Sequence, residues 1–211
     1  MNKKTRVDFR LYLITDRRLF TGDNALLAAI EEALKGGLKA VQLREKDLDT
    51  RSLLRMAYSL RELTSRYKAK LFINDRVDIA LAVDADGVHL GGESIPAFAA
   101  RKAAGKALLI GVSAHSIEEA KKAEEEGADF ITLGPIFETP SKIKYGQPLG
   151  PGLLSGARGK ISIPVFAIGG IKKERVAAVL ESGATGIALI SAILGSENVR
   201  SNTEEFMRLL K

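Results

Sequence analysis

The stretch Leu71-Phe72-Ile73-Asn74-Asp75-Arg76 decides how the rest of the chain is read. Three apolar residues, the pattern of a buried strand, end abruptly on an amide, a carboxylate and a guanidinium. Burying such groups is costly unless they are paired or hold something. A strand that stops on three of them therefore points to a ligand or a metal. The competing reading is a strand-to-helix junction in which Asn74 or Asp75 caps the next helix.

The same event recurs along the chain. Apolar runs end in polar or glycine-rich groups at Leu11–Asp16, Ala40–Lys46, Gly87–Glu93, Leu108–Ser113, Phe130–Pro135, Val165–Gly170 and Ile187–Ser191, which with the first makes eight strands. Helical periodicity follows them, as in Ala25-Leu26-Ala29-Ile30-Ala33-Leu34, Leu53-Leu54-Ala57-Leu60-Leu63, Ala120 and Ala123 beside an acidic face, and Val176-Val179-Leu180. Eight short, near-continuously apolar strands alternating with helices predict a (β/α)8 barrel, because helices cover one strand face and the barrel interior fills the other. An open doubly wound sheet usually has fewer strands and a Gly-rich first turn, where this chain has Thr15-Asp16-Arg17-Arg18. The expectation is a single barrel domain over residues 1–211.

Composition narrows the classes. The 211 residues are 45% apolar and include no cysteine, which excludes disulfides and thiolate metal sites and suits a reducing cytoplasm. No apolar run approaches the ~18 residues of a membrane span, and Met1-Asn2-Lys3-Lys4-Thr5-Arg6 runs towards the first strand without a signal-peptide core. A cytoplasmic protein without a membrane partner is expected. The net charge of +6 allows an anionic partner, but basic residues are scattered among nearly as many acidic ones, with no Arg-rich helix or aromatic stacking motif. That argues against nucleic acid and for small phosphorylated molecules. A homo-oligomer is compatible with the sequence.

Barrel closure brings the strands' C-terminal ends to one rim, so residues distant in sequence share one pocket. Gln42, Arg44 and Lys46 alternate with Leu43 and Glu45 and are expected on one face, a cationic stripe suited to an anion; salt bridging to Glu45, Asp47 or Asp75 is the plainer reading. Gly169-Gly170 after the seventh strand and Ser191 after the eighth lie where barrels of this type grip phosphate, although a turn or helix cap also explains glycine. The connection from Ile136 to Gly150 exceeds ordinary βα loops of ~2 to 6 residues. It places the Thr139 and Ser141 hydroxyls beside Lys142, either as a closing loop with anion ligands or as a plain disordered insertion. Asp75 is the candidate metal ligand, a hard carboxylate suited to Mg²⁺ bridging to diphosphate, with Glu93 and Ser94 the nearest supplements. His89 and His115 read as core or hydrogen-bonding residues, and a two-His zinc site is not expected.

These residues in this order resemble thiamine phosphate synthases, (β/α)8 enzymes that join hydroxymethylpyrimidine diphosphate to a thiazole phosphate and release diphosphate. The resemblance covers nearly the whole chain, through Tyr12-Leu13-Ile14-Thr15-Asp16, Gln42-Leu43-Arg44-Glu45-Lys46, Asn74-Asp75, Ala85-Asp86-Gly87-Val88-His89-Leu90-Gly91, Gly111-Val112-Ser113-Ala114-His115, Gly134-Pro135-Ile136-Phe137, Ile168-Gly169-Gly170-Ile171 and Ile190-Ser191-Ala192. It implies that Gln42, Arg44, Lys46, Asn74, Ser113 and Lys142 hold the pyrimidine diphosphate, with Arg44, Lys46 and Lys142 acting on the leaving group. It implies further that Thr139, Ser141, Gly170, Ile190 and Ser191 receive the thiazole phosphate and that Asp75 ligates Mg²⁺. One departure stands out: Gly91-Gly92-Glu93-Ser94 ends in serine where the family commonly has a second magnesium aspartate. The sister group of thiazole tautomerases lacks the Asn-Asp pair and carries a histidine where Pro135 stands. A tautomerase-like enzyme or a non-catalytic thiazole phosphate binder is the alternative function.

Overall fold

A computed structural model describes residues 7–139 and 148–211 of the chain. Eight parallel strands close on themselves in chain order: β1 (Leu11–Ile14), β2 (Ala40–Leu43), β3 (Lys70–Asn74), β4 (Gly87–Leu90), β5 (Leu109–Ala114), β6 (Phe130–Leu133), β7 (Val165–Ile168) and β8 (Gly186–Leu189). Pairing of Leu11 with Ile187 and of Leu13 with Leu189 seals β1 against β8. The helices are α1 (Asp23–Lys35), α2 (Thr50–Arg66), α3 (Val77–Ala82), α4 (Ala97–Ala104), α5 (Ile117–Glu125), α6 (Gly152–Ala157), α7 (Val176–Glu181), α8 (Ser191–Leu194) and α9 (Val199–Leu209). The fold is the (β/α)8 barrel expected from the strand count. The apolar spacings read in the sequence fall within α1, α2, α5 and α7, and Leu26, Ala29, Ile30, Ala33 and Leu34 form the buried stripe of α1.

Period two divides each strand between two cores. Leu11, Leu13, Val41, Leu43, Leu71, Ile73, Val88, Leu90, Ile131, Leu133, Ile187 and Leu189 face the helices. Phe9, Tyr12, Ala40, Phe72, Leu109, Phe130, Phe166 and Ala188 fill the interior. Interior rings are accommodated by glycines on the neighbouring strand: Phe72 is in register with Gly87, Phe130 with Gly111 and Phe166 with Gly186. A Cβ on Gly186 would stand 2.7 Å from the Phe166 ring, and one on Gly87 or Gly111 would collide with Phe72 or Phe130. The rings meet edge to face, as Tyr12 does with Phe130 (centroids 5.5 Å apart, planes at 90°), the arrangement that aromatic quadrupoles favour. This aromatic plug closes the barrel beneath the strands' C-terminal ends, so a ligand can enter from the mouth alone.

The ladders stop earlier than the sequence runs suggest. β2 ends at Leu43, so Arg44, Glu45 and Lys46 belong to the following loop, and the alternation expected to align Gln42, Arg44 and Lys46 ends with the strand. Glu45 is buried and Lys46 is exposed. Among the described residues, no helix is long and apolar enough to cross a membrane.

Candidate active site

Above the aromatic plug the interior turns polar. His89 on β4 is fully enclosed, with Nδ1 3.4 Å from the Tyr12 hydroxyl and Nε2 3.0 Å from Ser113 Oγ and 3.4 Å from Thr132 Oγ1. The Thr132 hydroxyl donates to Ser113 Oγ at 3.3 Å. Burial pushes the His89 imidazole down to about 3, so it is neutral near pH 7. As the sequence suggested, it is a hydrogen-bonding core histidine. Its consequence for the site is that Ser113 is held in one place on the pocket floor.

Gln42 on β2 completes this floor. Its Nε2 donates to Asn74 Oδ1 at 3.5 Å, while Oε1 is buried without a partner. A buried acceptor without a donor is expensive, and here it sits among Asn74 and the other pocket groups that the sequence singled out.

Asn74 and Asp75 do not cap α3, whose N-cap is Arg76, with no side-chain capping bond. Instead Asn74 Nδ2 donates to Asp75 Oδ2 at 2.7 Å. Asp75 lies in the left-handed region (φ 61°), which aspartate and asparagine tolerate better than most residues. This turn sets its Oδ1 against the β4 loop, where Gly91 N–H donates at 3.3 Å and the Ser94 hydroxyl donates as well. Lys46 Nζ stands 4.0 Å from Asp75 Oδ2, and at that distance and exposure the pair is loose. Arg44 makes no ion pair among the described residues. Its backbone N–H donates to Thr15 Oγ1 at 2.9 Å, which fixes the start of this loop against β1.

Glu45 has a role the sequence reading missed. Both carboxylate oxygens accept the Arg17 N–H, at 3.1 and 3.0 Å, which pins the β1 loop over the end of β2. Burial raises its pKa, opposed by hydrogen bonds from Thr15 and the Arg17 backbone. Glu45 therefore does not neutralise Arg44 or Lys46, and Asp47 is taken by Arg17 at 2.7 Å. The salt-bridge reading of the stripe reduces to the single long contact between Lys46 and Asp75.

On the other side of the mouth Gly169 (φ 96°) and Gly170 (φ 62°) follow β7. The chain after β6 runs along them: Ile136 N–H donates to Ile168 O at 2.9 Å and Phe137 N–H to Gly169 O at 3.0 Å. A Cβ on Gly169 would lie 2.7 Å from Pro135, and one on Gly170 would strike the Glu138 carbonyl. Both glycines are thus required by backbone approach as well as by φ. Arg175 lies 4.5 Å over the Phe137 ring and donates to Gly170 O at 2.7 Å, which braces the turn from outside. Ile190 precedes the short helix α8, which begins at Ser191, and the first N–H groups of a helix have no partners within it. Thr139 is the last described residue of the β6 loop; Ser141 and Lys142 lie outside the described residues.

The donors around Asp75 bear on Mg²⁺. This ion prefers hard oxygen ligands, retains waters, and is usually held by one or two carboxylates together with substrate phosphates. Asp75 supplies one carboxylate and Ser94 a touching hydroxyl. Glu93, the other supplement suggested by the sequence, is exposed. No group of three or more His, Cys, Asp or Glu side chains able to hold a metal occurs among the described residues. The set does not form a protein-only cage, but it fits a metal shared with a diphosphate.

Fold and site define a barrel enzyme whose mouth has polar side chains above an aromatic plug, with Asp75, Lys46 and an Arg44 that makes no ion pair among the described residues at its rim. The family model for thiamine monophosphate synthase matches residues 11–193. A putative thiamine-phosphate synthase of Geobacter sulfurreducens is 53% identical over 97% of this chain and 96% of its own length. The thiamine-phosphate synthase of Halalkalibacterium halodurans is 47% identical over the same shares of both chains. Among solved structures, a thiamine phosphate pyrophosphorylase from Pyrococcus furiosus superposes with a TM-score of 0.86 at 43% identity, covering 95% of each chain. The chain belongs to the thiamine monophosphate synthase family.

Proposed function

We propose that the protein couples hydroxymethylpyrimidine diphosphate with a thiazole phosphate, giving thiamine phosphate and diphosphate. The observation that carries this reading is the unsatisfied Gln42 Oε1 beside Asn74, with Arg44 and Lys46 on the loop that follows Gln42 and Asp75 next to Asn74. An aminopyrimidine brings the donor that Gln42 lacks, and its diphosphate reaches the cations.

In this reading Gln42, Asn74 and Ser113 orient the ring, and His89 keeps the Ser113 hydroxyl in position. Arg44, Lys46 and Lys142 meet the charge that grows on the departing diphosphate as the methylene–oxygen bond breaks. The thiazole nitrogen then attacks the methylene carbon. Thr139, Ser141, Gly170, Ile190 and Ser191 hold the thiazole phosphate opposite, so the two reacting atoms are brought face to face. No side-chain nucleophile is needed, and preorganised positive charge is the main source of rate. Asp75, with Ser94 beside it, would hold Mg²⁺, which when bound supplies further positive charge to the diphosphate oxygens. Asn74-Asp75 and Pro135 separate the chain from the tautomerase pattern. Cytoplasmic localisation accords with small-molecule biosynthesis.

The test is incubation with both substrates, with and without Mg²⁺, following thiamine phosphate and diphosphate. Both products form, and only with the metal. Arg44→Ala lowers turnover by ~10² to 10³, the typical loss for one such electrostatic contact, with an unchanged circular dichroism spectrum. Near-normal turnover by that variant would sink the assignment of Arg44.

A further inference from the structure

The closed end of the barrel, opposite the mouth, repeats one arrangement around its circumference. Each even-numbered strand is entered through a residue of positive φ three positions before it: Gly37 (96°), Asp84 (50°), Gly127 (95°) and Gly183 (109°). In two of these units an arginine from the helix before the neighbouring odd-numbered strand locks the turn. Arg61 on α2 donates to Asp86 Oδ2 at 2.6 Å and to the Asp84 and Ala69 carbonyls at 3.2 Å each. Asp86 Oδ2 also accepts the Leu71 N–H at 2.9 Å. Arg101 on α4 repeats this with Asp129 Oδ2 at 2.6 Å and the Gly127 and Leu108 carbonyls at 3.1 and 2.8 Å. Asp129 Oδ2 likewise accepts the Ile110 N–H at 2.7 Å. One carboxylate thus serves both a guanidinium and the second amide of a strand.

The fourth unit keeps the arginine and loses the carboxylate. Arg158, which ends α6, lies along Gly183, whose Cβ would stand 3.3 Å from its side-chain carbons. Thr185 occupies the place of Asp86 and Asp129, and its Oγ1 accepts the Val165 N–H at 3.3 Å. The Arg158 guanidinium has no hydrogen bond or ion pair among the described residues. A cleft of about 220 Å³ opens there, lined by Arg158, Ser162 and Thr185 and by the apolar Leu154 and Ile161. Glu124 on α5 approaches this segment, but its Oε1 is engaged by the Ser162 and Ile163 amides at 2.9 and 3.2 Å.

We infer that this cleft binds a small organic carboxylate in the place of the missing aspartate. Arg158 is the cation, its planar fork matched to a carboxylate. The Thr185 hydroxyl, which accepts from Val165, retains its own O–H to donate, and Ser162 offers a second hydroxyl. The apolar walls take a short alkyl chain, and the cleft has room for a ligand of roughly nine heavy atoms, given that ~150 Å³ holds benzene. Phosphate shares the oxyanion chemistry, but a carboxylate is the group that Arg61 and Arg101 hold in the sister units, and phosphate has no alkyl group to lay against the apolar walls.

The test is a titration of the whole ¹⁵N-labelled protein with propionate, and separately with inorganic phosphate, at constant ionic strength set by chloride. The amides of Val165, Gly183 and Thr185 read this cleft, while those of Gly170 and Ser191 read the mouth. Propionate is expected to shift the first three saturably, with half-saturation on the order of millimolar for so small a ligand. Phosphate should bind there at least tenfold more weakly. Arg158→Met removes the cation and Thr185→Asp supplies the internal carboxylate; each should weaken propionate at the cleft at least tenfold, and Thr185→Asp should raise Tm. Unsaturable drift, which chloride would reproduce, overturns the site, as does unchanged propionate binding by Arg158→Met. Phosphate binding as tight as propionate overturns the carboxylate assignment.

Discussion

Two residues near the mouth carry consequences that can be measured one side chain at a time. His89 is fully buried and neutral, with its pKa pushed down from 6.5 to about 3 by desolvation. The unfolded chain takes up a proton there below pH ~6.5 and the native chain does not until pH ~3. The unfolded state therefore binds more protons across that window, so His89 makes stability fall as pH is lowered through it, with a limiting slope of ~1.4 kcal/mol per pH unit. Above pH ~6.5 its contribution is flat. His89→Gln should reduce the slope of unfolding free energy between pH 6.5 and 4 by up to one proton's worth, read from urea melts at a series of pH values. The other histidine, His115, is exposed on Glu119 and does not substitute for it. Ser94 is the second case. Its hydroxyl donates to Asp75 where an aspartate would set a second carboxylate. Ser94→Asp should lower the Mg²⁺ concentration for half-maximal binding, measured directly by calorimetry with diphosphate present. Without metal the two like charges repel, so the same variant should melt below the parent protein.

At the scale of elements, the strands explain what the sequence could reveal and what it could not. A buried parallel strand reads as a continuous apolar run because both faces are covered, so the eight runs revealed the barrel without showing which residues point inward. That choice depends on register, and register is where Phe72, Phe130 and Phe166 find Gly87, Gly111 and Gly186. Gly111→Ala should therefore destabilise by about 1–3 kcal/mol through overpacking, since the new Cβ would meet the Phe130 ring and stand 2.6 Å from His89 Nδ1. Phe130→Leu in the same chain should recover part of that loss, and a double-mutant cycle in urea would give a coupling of roughly 0.5–3 kcal/mol. Additive losses would show that the two strands do not share this space. The loops follow the same logic. Gln42, Asn74, Asp75 and Ser113 could be found from the sequence because each stands at the end of an apolar run. Glu45 could be offered only as one of three possible ion-pair partners, because what engages it is the backbone amide of Arg17 on the preceding βα loop, which no local pattern signals. The helices α3, α6 and α7 are six residues each, shorter than the window of ~11–18 that a periodicity needs, and the sequence marks only α7 among them, through Val176-Val179-Leu180.

At the scale of the whole molecule, the site is a property of closure. Gln42, Asp75, Ser94 and Ser113 come from the neighbouring strand ends of β2 to β5, and Gly170 and Ser191 from those of β7 and β8; only the closed ring of β1 to β8 sets both groups around one mouth. The unfolded chain has no such arrangement, so a ligand that spans them stabilises the native state alone. In the proposed site, diphosphate by itself would face Arg44 and Lys46 but also the Asp75 carboxylate, which would repel it. Mg²⁺ by itself finds one carboxylate and one hydroxyl, a weak set. Together each supplies what the other lacks. At about 100 times the joint Kd the stabilisation is ~2.7 kcal/mol, and a chain of this size gains ~2–4 °C per kcal/mol, so Tm should rise by roughly 5–10 °C with both present and little with either alone. Asp75→Asn should abolish the synergy while leaving the Tm of the ligand-free protein close to that of the parent, because asparagine tolerates the same φ and its amide oxygen can still accept a hydrogen bond. A full shift with diphosphate alone would mean that the cations hold the leaving group without the metal, and that Asp75 owes its place to Ser94 and Asn74 instead.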